Sequence, residues 1–206
     1  MFSDIIIPEN PHFELELIMQ KQNMFPVAGV DEVGRGAIAG PVVVAAVILN
    51  PNNIPVGIND SKKISHKRRE ELYGKIMNSS IISIAFASSR YIDKHNIHKA
   101  TLDTMCLVVK NLQVIPRSVL IDGRSTPEDL PCKSFSIIKG DSVSLSIAAA
   151  SIIAKVIRDR FMKTANARYP GYGFNTHVGY PTEKHRRAII EKGPSCIHRM
   201  TFRPLK

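Results

Sequence analysis

Residues 41–49 read PVVVAAVIL, and this unbroken apolar run constrains the fold more than any other segment. Its side chains are almost all β-branched or small, which favours a strand, and no polar residue marks a side that faces water. The run is also about half as long as a membrane-spanning helix, which needs roughly 20 apolar residues. It therefore predicts an internal strand that is buried on both faces of a sheet.

Further apolar runs and amphipathic segments follow one another along the chain. We predict strands at 27–32, 41–49, 81–88, 118–121 and 135–138, and helices at 11–22, 65–78, 98–114, 141–169 and 182–191. The first two strands form a hairpin-like pair and the later ones alternate with helices, which is typical of an α/β domain built around one sheet. We expect a short N-terminal helical segment, 1–25, and a single domain, 26–206.

The chain is strongly basic. Its 206 residues include 28 Lys and Arg against 18 Asp and Glu, a formal net charge of +10. This excess favours a polyanionic partner, with nucleic acid first and an anionic membrane surface second. The N-terminus lacks the pattern of a secretory signal, and three scattered cysteines suit a reducing compartment. We therefore expect a cytoplasmic protein that binds nucleic acid.

Four carboxylates stand where α/β folds place their ligands. Asp31 and Glu32 end the first predicted strand, Asp122 ends the fourth, and Asp141 begins the long helix. Taken singly, each has a plainer interpretation as a solvated strand end, an Asp-Gly turn or a helix N-cap. Because neighbouring strand residues point to opposite faces, Asp31 is a better direct metal ligand than Glu32.

Taken together, these carboxylates are expected to converge on one edge of the sheet. Their mutual repulsion raises the pKa of each unless a cation neutralises them. Oxygen ligands without His or Cys suit Mg²⁺ or Mn²⁺ rather than zinc. Two such ions, about 4 Å apart, activate a water molecule and stabilise the leaving oxygen of an in-line displacement. An acidic pocket in a basic protein is thus typical of a metal-dependent nuclease.

Two segments are candidates for contact with a sugar or a base. The turn Gly34-Arg35-Gly36 allows backbone N–H groups to approach a phosphate or sugar closely; its plainer interpretation is a tight turn with an exposed arginine. A dinucleotide-binding loop is disfavoured because a strand follows where that motif needs a helix. Tyr180 ends the aromatic stretch 169–180, which is either a stacking platform or a loop pinned to the core.

Two basic segments are candidates for contact with phosphates. Ser61 and Lys62 lie in a polar loop that either binds a phosphate or is merely solvated. The predicted long helix carries a basic stretch that is either a phosphate track or an ordinary solvated face; its members are Lys155, Arg158, Arg160 and Lys163.

These motifs, in this order, resemble those of the ribonuclease HII family. The resemblance covers most of 27–203 and is carried by VAGVDEVGRG at 27–36, AGP at 39–41, NDSK at 59–62, LIDG at 120–123, KGDS at 139–142, AAASIIAK at 148–155, HVGYPT at 177–182 and IHR at 197–199. It implies an RNase H-like fold, with a mixed five-stranded central sheet flanked by helices.

The resemblance also implies an activity. It implies endonucleolytic cleavage of RNA in RNA–DNA hybrids and at single ribonucleotides embedded in duplex DNA, leaving 3′-hydroxyl and 5′-phosphate ends. The four carboxylates would hold Mn²⁺ or Mg²⁺, while the 34–36 turn and Tyr180 would recognise the 2′-hydroxyl.

Two other functions stay open at this point. The chain is either a nucleic-acid-binding module without catalysis, whose carboxylates serve as turns and caps, or another metal-dependent nuclease on the same fold. We expect a monomer with no membrane association. The sequence assigns no role to His177, His185 or His198.

Overall fold

The computed structural model describes residues 8–205. The strands in that range are β1 Val27–Val33, β2 Val42–Leu49, β3 Ser80–Ala87, β4 Ser118–Asp122 and β5 Lys133–Ile137. The helices are α1 Glu14–Lys21, α2 His66–Ser79, α3 Ser89–His95, α4 Ile97–Lys110, α5 Leu145–Arg168, α6 Phe174–His177 and α7 Glu183–Lys192, with a 3₁₀ turn at Gly140–Ser142.

The strands form one mixed sheet in the order β3-β2-β1-β4-β5. β1 pairs antiparallel with β2, and β2 pairs antiparallel with β3. β4 runs parallel to β1 on its other side, and β5 runs parallel to β4. The predicted hairpin-like start and mixed five-stranded sheet are therefore confirmed.

The prediction that residues 41–49 form a strand buried on both faces is confirmed. All eight residues of β2 are buried. Val44 and Ala46 belong to the core that also contains residues of α3 and α4. Val43 and Val47 point to the other face and belong to the core that contains α2 and α5. This alternation sandwiches the sheet between two layers of helices.

Helix α5 crosses β1 at very short range. A Cβ built on Gly29 would lie 2.1 Å from the carbonyl carbon of Ser146, so only glycine allows this approach. The crossing places the turn Gly140–Ser142, which precedes α5, beside the end of β4. The main-chain N–H of Gly140 donates to Asp122 Oδ1 at 2.7 Å.

Several predicted boundaries are wrong. The long helix begins at Leu145 rather than 141, because Ser144 accepts a hydrogen bond from the N–H of Ile147 and caps it. Asp141 is therefore not its N-cap. The short helices α3 and α6 were not predicted. The predicted N-terminal helix is confined to Glu14–Lys21, and residues 1–7 of the predicted segment 1–25 lie outside the described residues.

Between residues 8 and 205, no helix is long and apolar enough to cross a membrane. The longest, α5, spans 24 residues but carries a basic second half.

Candidate active site

The carboxyl ends of β1 and β4 bring two acidic side chains together. The parallel register pairs Val30 with Ile121, so Asp31 and Asp122 follow at the same level on neighbouring strands. Asp141 joins them from the 3₁₀ turn, because Gly140 is hydrogen-bonded to Asp122. The backbone therefore brings Asp31, Asp122 and Asp141 to one edge of the sheet, as predicted.

The carboxylates are close enough to perturb one another. Burial, followed by the charges of Asp122, Glu32 and Asp141, raises the pKa of Asp31 well above its usual range. Burial also raises the pKa of Glu32 to about 7, although Arg35 opposes this shift. For Asp122, burial and then the charge of Asp141 raise the pKa, while the N–H of Gly140 opposes them. The site thus concentrates negative charge that has no full compensation.

The loop that precedes α2 reaches into this acidic group. Lys62 Nζ lies 3.2 Å from Asp141 Oδ2 and 4.0 Å from Asp60 Oδ1, with most of its side chain exposed. The hydroxyl of Ser61 lies 2.9 Å from that of Ser151 on α5 and is buried. Ser61 therefore anchors the loop that carries Lys62, and a direct contact of Ser61 with substrate stays a prediction.

The donor set fits a hard divalent cation. All the candidate ligands are carboxylates, and Glu32 Oε2 is buried without a hydrogen-bond partner among the described residues. Within that same part of the chain, no three His, Cys, Asp or Glu side chains already enclose a site by themselves. Mg²⁺ is commonly held in this way, by one or two carboxylates completed by water and substrate phosphate.

Two buried arginines support the turn beside the acidic group. Arg199 donates to the carbonyls of Gly34 and Gly40 at 2.8 Å and of Arg35 at 2.9 Å. Arg158 is equally buried, and its Nε would lie 2.1 Å from a Cβ built on Gly34, which has a φ of +100°. Glycine is required at position 34 both by its backbone conformation and by this contact.

The turn and the candidate aromatic residue are neighbours. A Cβ built on Gly36 would lie 3.8 Å from the ring of Tyr180. The side chain of Tyr180 is itself partly exposed to solvent. The Arg158 guanidinium lies 5.5 Å from the centre of the Tyr180 ring. The Arg35 side chain is half-exposed and donates to Glu32 Oε1 at 3.3 Å, so it links the turn to the carboxylates.

The predicted phosphate track along α5 is wrong for Arg158. Its side chain is fully buried and donates to the carbonyls of Pro41 and Ala39, so it supports the turn from within. Lys155 pairs with Asp159 at 2.8 Å and retains 22% side-chain exposure. Its contact with substrate stays a prediction.

Sequence reasoning missed the role of Arg199 altogether. The carbonyls that it binds lie 159 to 165 positions away, and nothing in the pattern around it signals burial. It also assigned no role to three buried histidines, His177, His185 and His198, of which His177 and His185 bond the backbone of Tyr180. His177, His198 and Arg199 lie within the HVGYPT and IHR motifs, but no spacing or periodicity in the sequence indicates their burial or their hydrogen-bond partners.

Comparison with known proteins identifies the family to which this chain is similar. Residues 28–204 match the family model described as Ribonuclease HII. The chain is 52% identical over 201 residues to ribonuclease HII of Agrobacterium fabrum, covering 98% of this chain and 93% of that protein. It is 53% identical over 199 residues to ribonuclease HII of Sinorhizobium medicae, covering 97% and 92%.

A solved structure gives the same assignment. The crystal structure of ribonuclease H2 from Pyrococcus horikoshii OT3 superposes with a TM-score of 0.75 at 25% identity, covering 87% of this chain and 94% of that one. The expected RNase H-like fold is confirmed. With a family match over most of its length and relatives at about half identity, this chain belongs to the ribonuclease HII family of metal-dependent endonucleases that act on RNA–DNA hybrids.

Proposed function

We propose that this enzyme cleaves the RNA strand of RNA–DNA hybrids and also cuts at single ribonucleotides embedded in duplex DNA, leaving 3′-hydroxyl and 5′-phosphate ends. The observation that carries the proposal is the juxtaposition of two features. An acidic group at the ends of β1 and β4 lies beside a backbone turn that contacts Tyr180. The first suits phosphodiester hydrolysis, and the second suits inspection of a sugar.

In this proposal the candidate metal ligands are Asp31, Glu32, Asp122 and Asp141. Two Mg²⁺ or Mn²⁺ ions held there would activate the attacking water and stabilise the leaving 3′ oxygen. Asp31 and Asp122 supply the central ligand oxygens, because they end adjacent parallel strands. The exposed ammonium of Lys62, now 3.2 Å from Asp141, is placed to meet a substrate phosphate at the edge of the site.

The 2′-hydroxyl is the group that distinguishes a lone ribonucleotide within duplex DNA. Recognition of that group needs close backbone approach and a wall behind the sugar. The Gly34-Arg35-Gly36 turn supplies the approach, because Arg199 binds the carbonyls of Gly34 and Arg35 from the interior side. The ring of Tyr180 supplies the wall.

Variants of Tyr180 test this recognition. Tyr180→Phe loses only the hydroxyl and is expected to lower kcat/KM on a single-ribonucleotide duplex about 2- to 10-fold, the value of one hydrogen bond. Tyr180→Ala also loses the stacking surface, which lowers kcat/KM by roughly a further 10-fold. Both losses should be smaller on a continuous hybrid, where several ribonucleotides present the same group.

The measurement is kcat/KM for both variants on both duplexes, with thermal melts to check folding. Tyr91→Ala is the matched control, because Tyr91 is also a half-exposed tyrosine but lies on α3. Equal losses on the two duplexes would reduce Tyr180 to a packing residue and leave ribonucleotide recognition unexplained.

Metal binding is expected to depend on pH. The pKa of Glu32 is raised from 4.5 to about 7, so the folded chain retains a proton that the unfolded chain releases in this window. Stability without metal therefore falls as pH rises through the window, because the ionised carboxylate is buried and is repelled by Asp122, and a bound cation offsets both effects. Saturating Mg²⁺ should raise Tm more at about pH 8 than at about pH 6, where protons compete for the same oxygens.

Differential scanning fluorimetry checks this expectation, with Ca²⁺-free Mg²⁺ titrations at the two pH values. Asp129→Asn, at an exposed acid elsewhere, should leave the Mg²⁺ effect intact. A rise in Tm that is the same at both pH values would contradict the proposed ligands.

A further inference from the structure

Three buried histidines lie beside the backbone of Tyr180. His177, His185 and His198 are 8%, 0% and 2% exposed, and the rings of His177 and His185 stack with centres 4.3 Å apart. They make no hydrogen bond or ion pair with the candidate carboxylate ligands, and the proposed hydrolysis assigns them no catalytic or binding role. Buried polar rings need hydrogen-bond partners, and the identity of these partners determines which ring nitrogen carries the proton.

The direction of the hydrogen bonds that His198 and His185 make follows from one main-chain donor. The N–H of Ser195 donates to His198 Nδ1 at 2.9 Å, so the proton of that ring is on Nε2. His198 Nε2 lies 3.0 Å from His185 Nε2, which therefore accepts. The remaining proton of His185 is on Nδ1, and it donates to the carbonyl of Tyr180 at 2.9 Å. The two rings form a histidine relay, from Ser195 through His198 and His185 to Tyr180.

The relay is consistent only when both rings are neutral. A second proton on His185 would lie on Nε2 and face the Nε2–H of His198, and a second proton on His198 would lie on Nδ1 and face the N–H of Ser195. Burial, followed by the charges of the neighbouring histidines, lowers the pKa of His185 to about 4, and burial lowers that of His198 as well. Both rings are thus neutral at physiological pH, and the direction of the relay is fixed.

The relay completes a set of contacts that hold the backbone of Tyr180. The N–H of Tyr180 donates to the carbonyl of His177 at 2.9 Å, and the carbonyl of Gly179 accepts from Ile38 at 2.9 Å. A Cβ built on Gly179 would lie 2.4 Å from the carbonyl oxygen of Ala39. The segment therefore packs closely against the residues that follow the recognition turn. The carbonyl of Tyr180 accepts two hydrogen bonds, one from the main-chain N–H of Thr182 at 2.9 Å and one from the side chain of His185.

We propose that His185 and His198 are positioning residues for ribonucleotide recognition, acting through the carbonyl of Tyr180 to hold its ring against the Gly34-Arg35-Gly36 turn. This inference rests on the proposed function. His198 directly precedes Arg199, whose guanidinium binds the carbonyls of Gly34 and Arg35. The adjacent residues His198 and Arg199 therefore support both parts of the recognition site, Tyr180 through His185 and the Gly34-Arg35-Gly36 turn directly.

A double-mutant cycle tests the proposal, because a positioning residue has no effect once the residue that it positions is gone. His185→Ala should lower kcat/KM on a single-ribonucleotide duplex about 5- to 10-fold, the value of one buried hydrogen bond, with a smaller loss on a continuous hybrid. In a Tyr180→Ala background the same change should cost nothing further on either duplex. His185→Asn should restore most of the loss, because its amide N–H reaches the position of Nδ1.

His98→Ala is the matched control, since His98 is an exposed histidine on α4. If His185→Ala fails to fold, His198→Asn serves in its place. It keeps an acceptor for Ser195 but loses the Nε2 proton, and it should give the same non-additivity with Tyr180→Ala.

The possible outcomes distinguish failure of this inference from failure of the proposed cleavage activity on which it rests. Loss at His185 that persists undiminished in the Tyr180→Ala background means a general structural role and overturns the proposal. Failure of His185→Asn to recover activity overturns the Nδ1 hydrogen bond. Wild-type enzyme that does not cleave the single-ribonucleotide duplex overturns the proposed function instead.

Discussion

Asp122→Asn is expected to abolish turnover while leaving the enzyme able to bind its duplex. The substitution nearly preserves shape, and the amide oxygen can still accept the N–H of Gly140 that now donates to Asp122 at 2.7 Å. It removes one ligand charge from the centre of the acidic group. We expect kcat to fall by at least about 10³-fold, the upper range for loss of one electrostatic contact to the reacting atoms.

Binding should be unchanged or tighter, because one source of repulsion toward the phosphodiester is gone. The measurement pairs single-turnover cleavage with fluorescence anisotropy on the same hybrid at saturating Mg²⁺. Asp129→Asn controls for loss of an exposed negative charge elsewhere. Turnover of Asp122→Asn within a few-fold of wild type would remove Asp122 from the proposed metal site.

Arg199→Met is expected to destabilise the fold strongly. The guanidinium is fully buried and donates to the carbonyls of Gly34, Arg35 and Gly40, with no carboxylate among its contacts. Burial, followed by the charge of Arg158, lowers the pKa of Arg199 to about 9, and it stays charged at neutral pH. Methionine fills the space but removes the donors to the carbonyls of Arg35 and Gly40, each at a cost of about 1–3 kcal/mol, while the carbonyl of Gly34 keeps the N–H of Ala37.

Relief of the buried charge offsets part of this cost, so we expect a net loss of about 3 kcal/mol in the free energy of unfolding. For a domain of this size, that loss lowers Tm by roughly 6–12 °C. Arg203→Met is the matched control, because Arg203 is an exposed arginine four positions further along the chain. A melting temperature for Arg199→Met close to that of the control would contradict the supporting role of Arg199.

Much of the fold could be predicted because its strongest signals are local. The run at 41–49 contains no polar residue, so burial on both faces of β2 follows from composition alone. The carboxylates at the ends of β1 and β4 were predicted to converge, because α/β sheets place their ligands at the carboxyl ends of strands. Ser65 and Thr182 begin two of the predicted helices, and each accepts a main-chain hydrogen bond as the N-cap.

The supporting contacts of the site were beyond sequence reasoning because they are non-local. Arg158 lies in a stretch with Lys155 and Arg160, which is the usual pattern of a solvated face. Its burial depends on the carbonyls of Ala39 and Pro41, more than a hundred positions earlier. Asp141 was a reasonable N-cap on residue type, but Ser144 displaces it because the chain first makes a 3₁₀ turn.

The central claim is ribonucleotide-dependent cleavage by the acidic group. Its most direct test is one panel of duplexes with the same base sequence: all-DNA, all-RNA, RNA–DNA hybrid and DNA with a single ribonucleotide, each incubated with wild-type enzyme and Mg²⁺ or Mn²⁺. We predict metal-dependent cuts in the hybrid and at the single ribonucleotide, with 3′-hydroxyl and 5′-phosphate ends, and an intact all-DNA duplex. Cleavage of the all-DNA duplex at a comparable rate, or no cleavage at the single ribonucleotide, would contradict it.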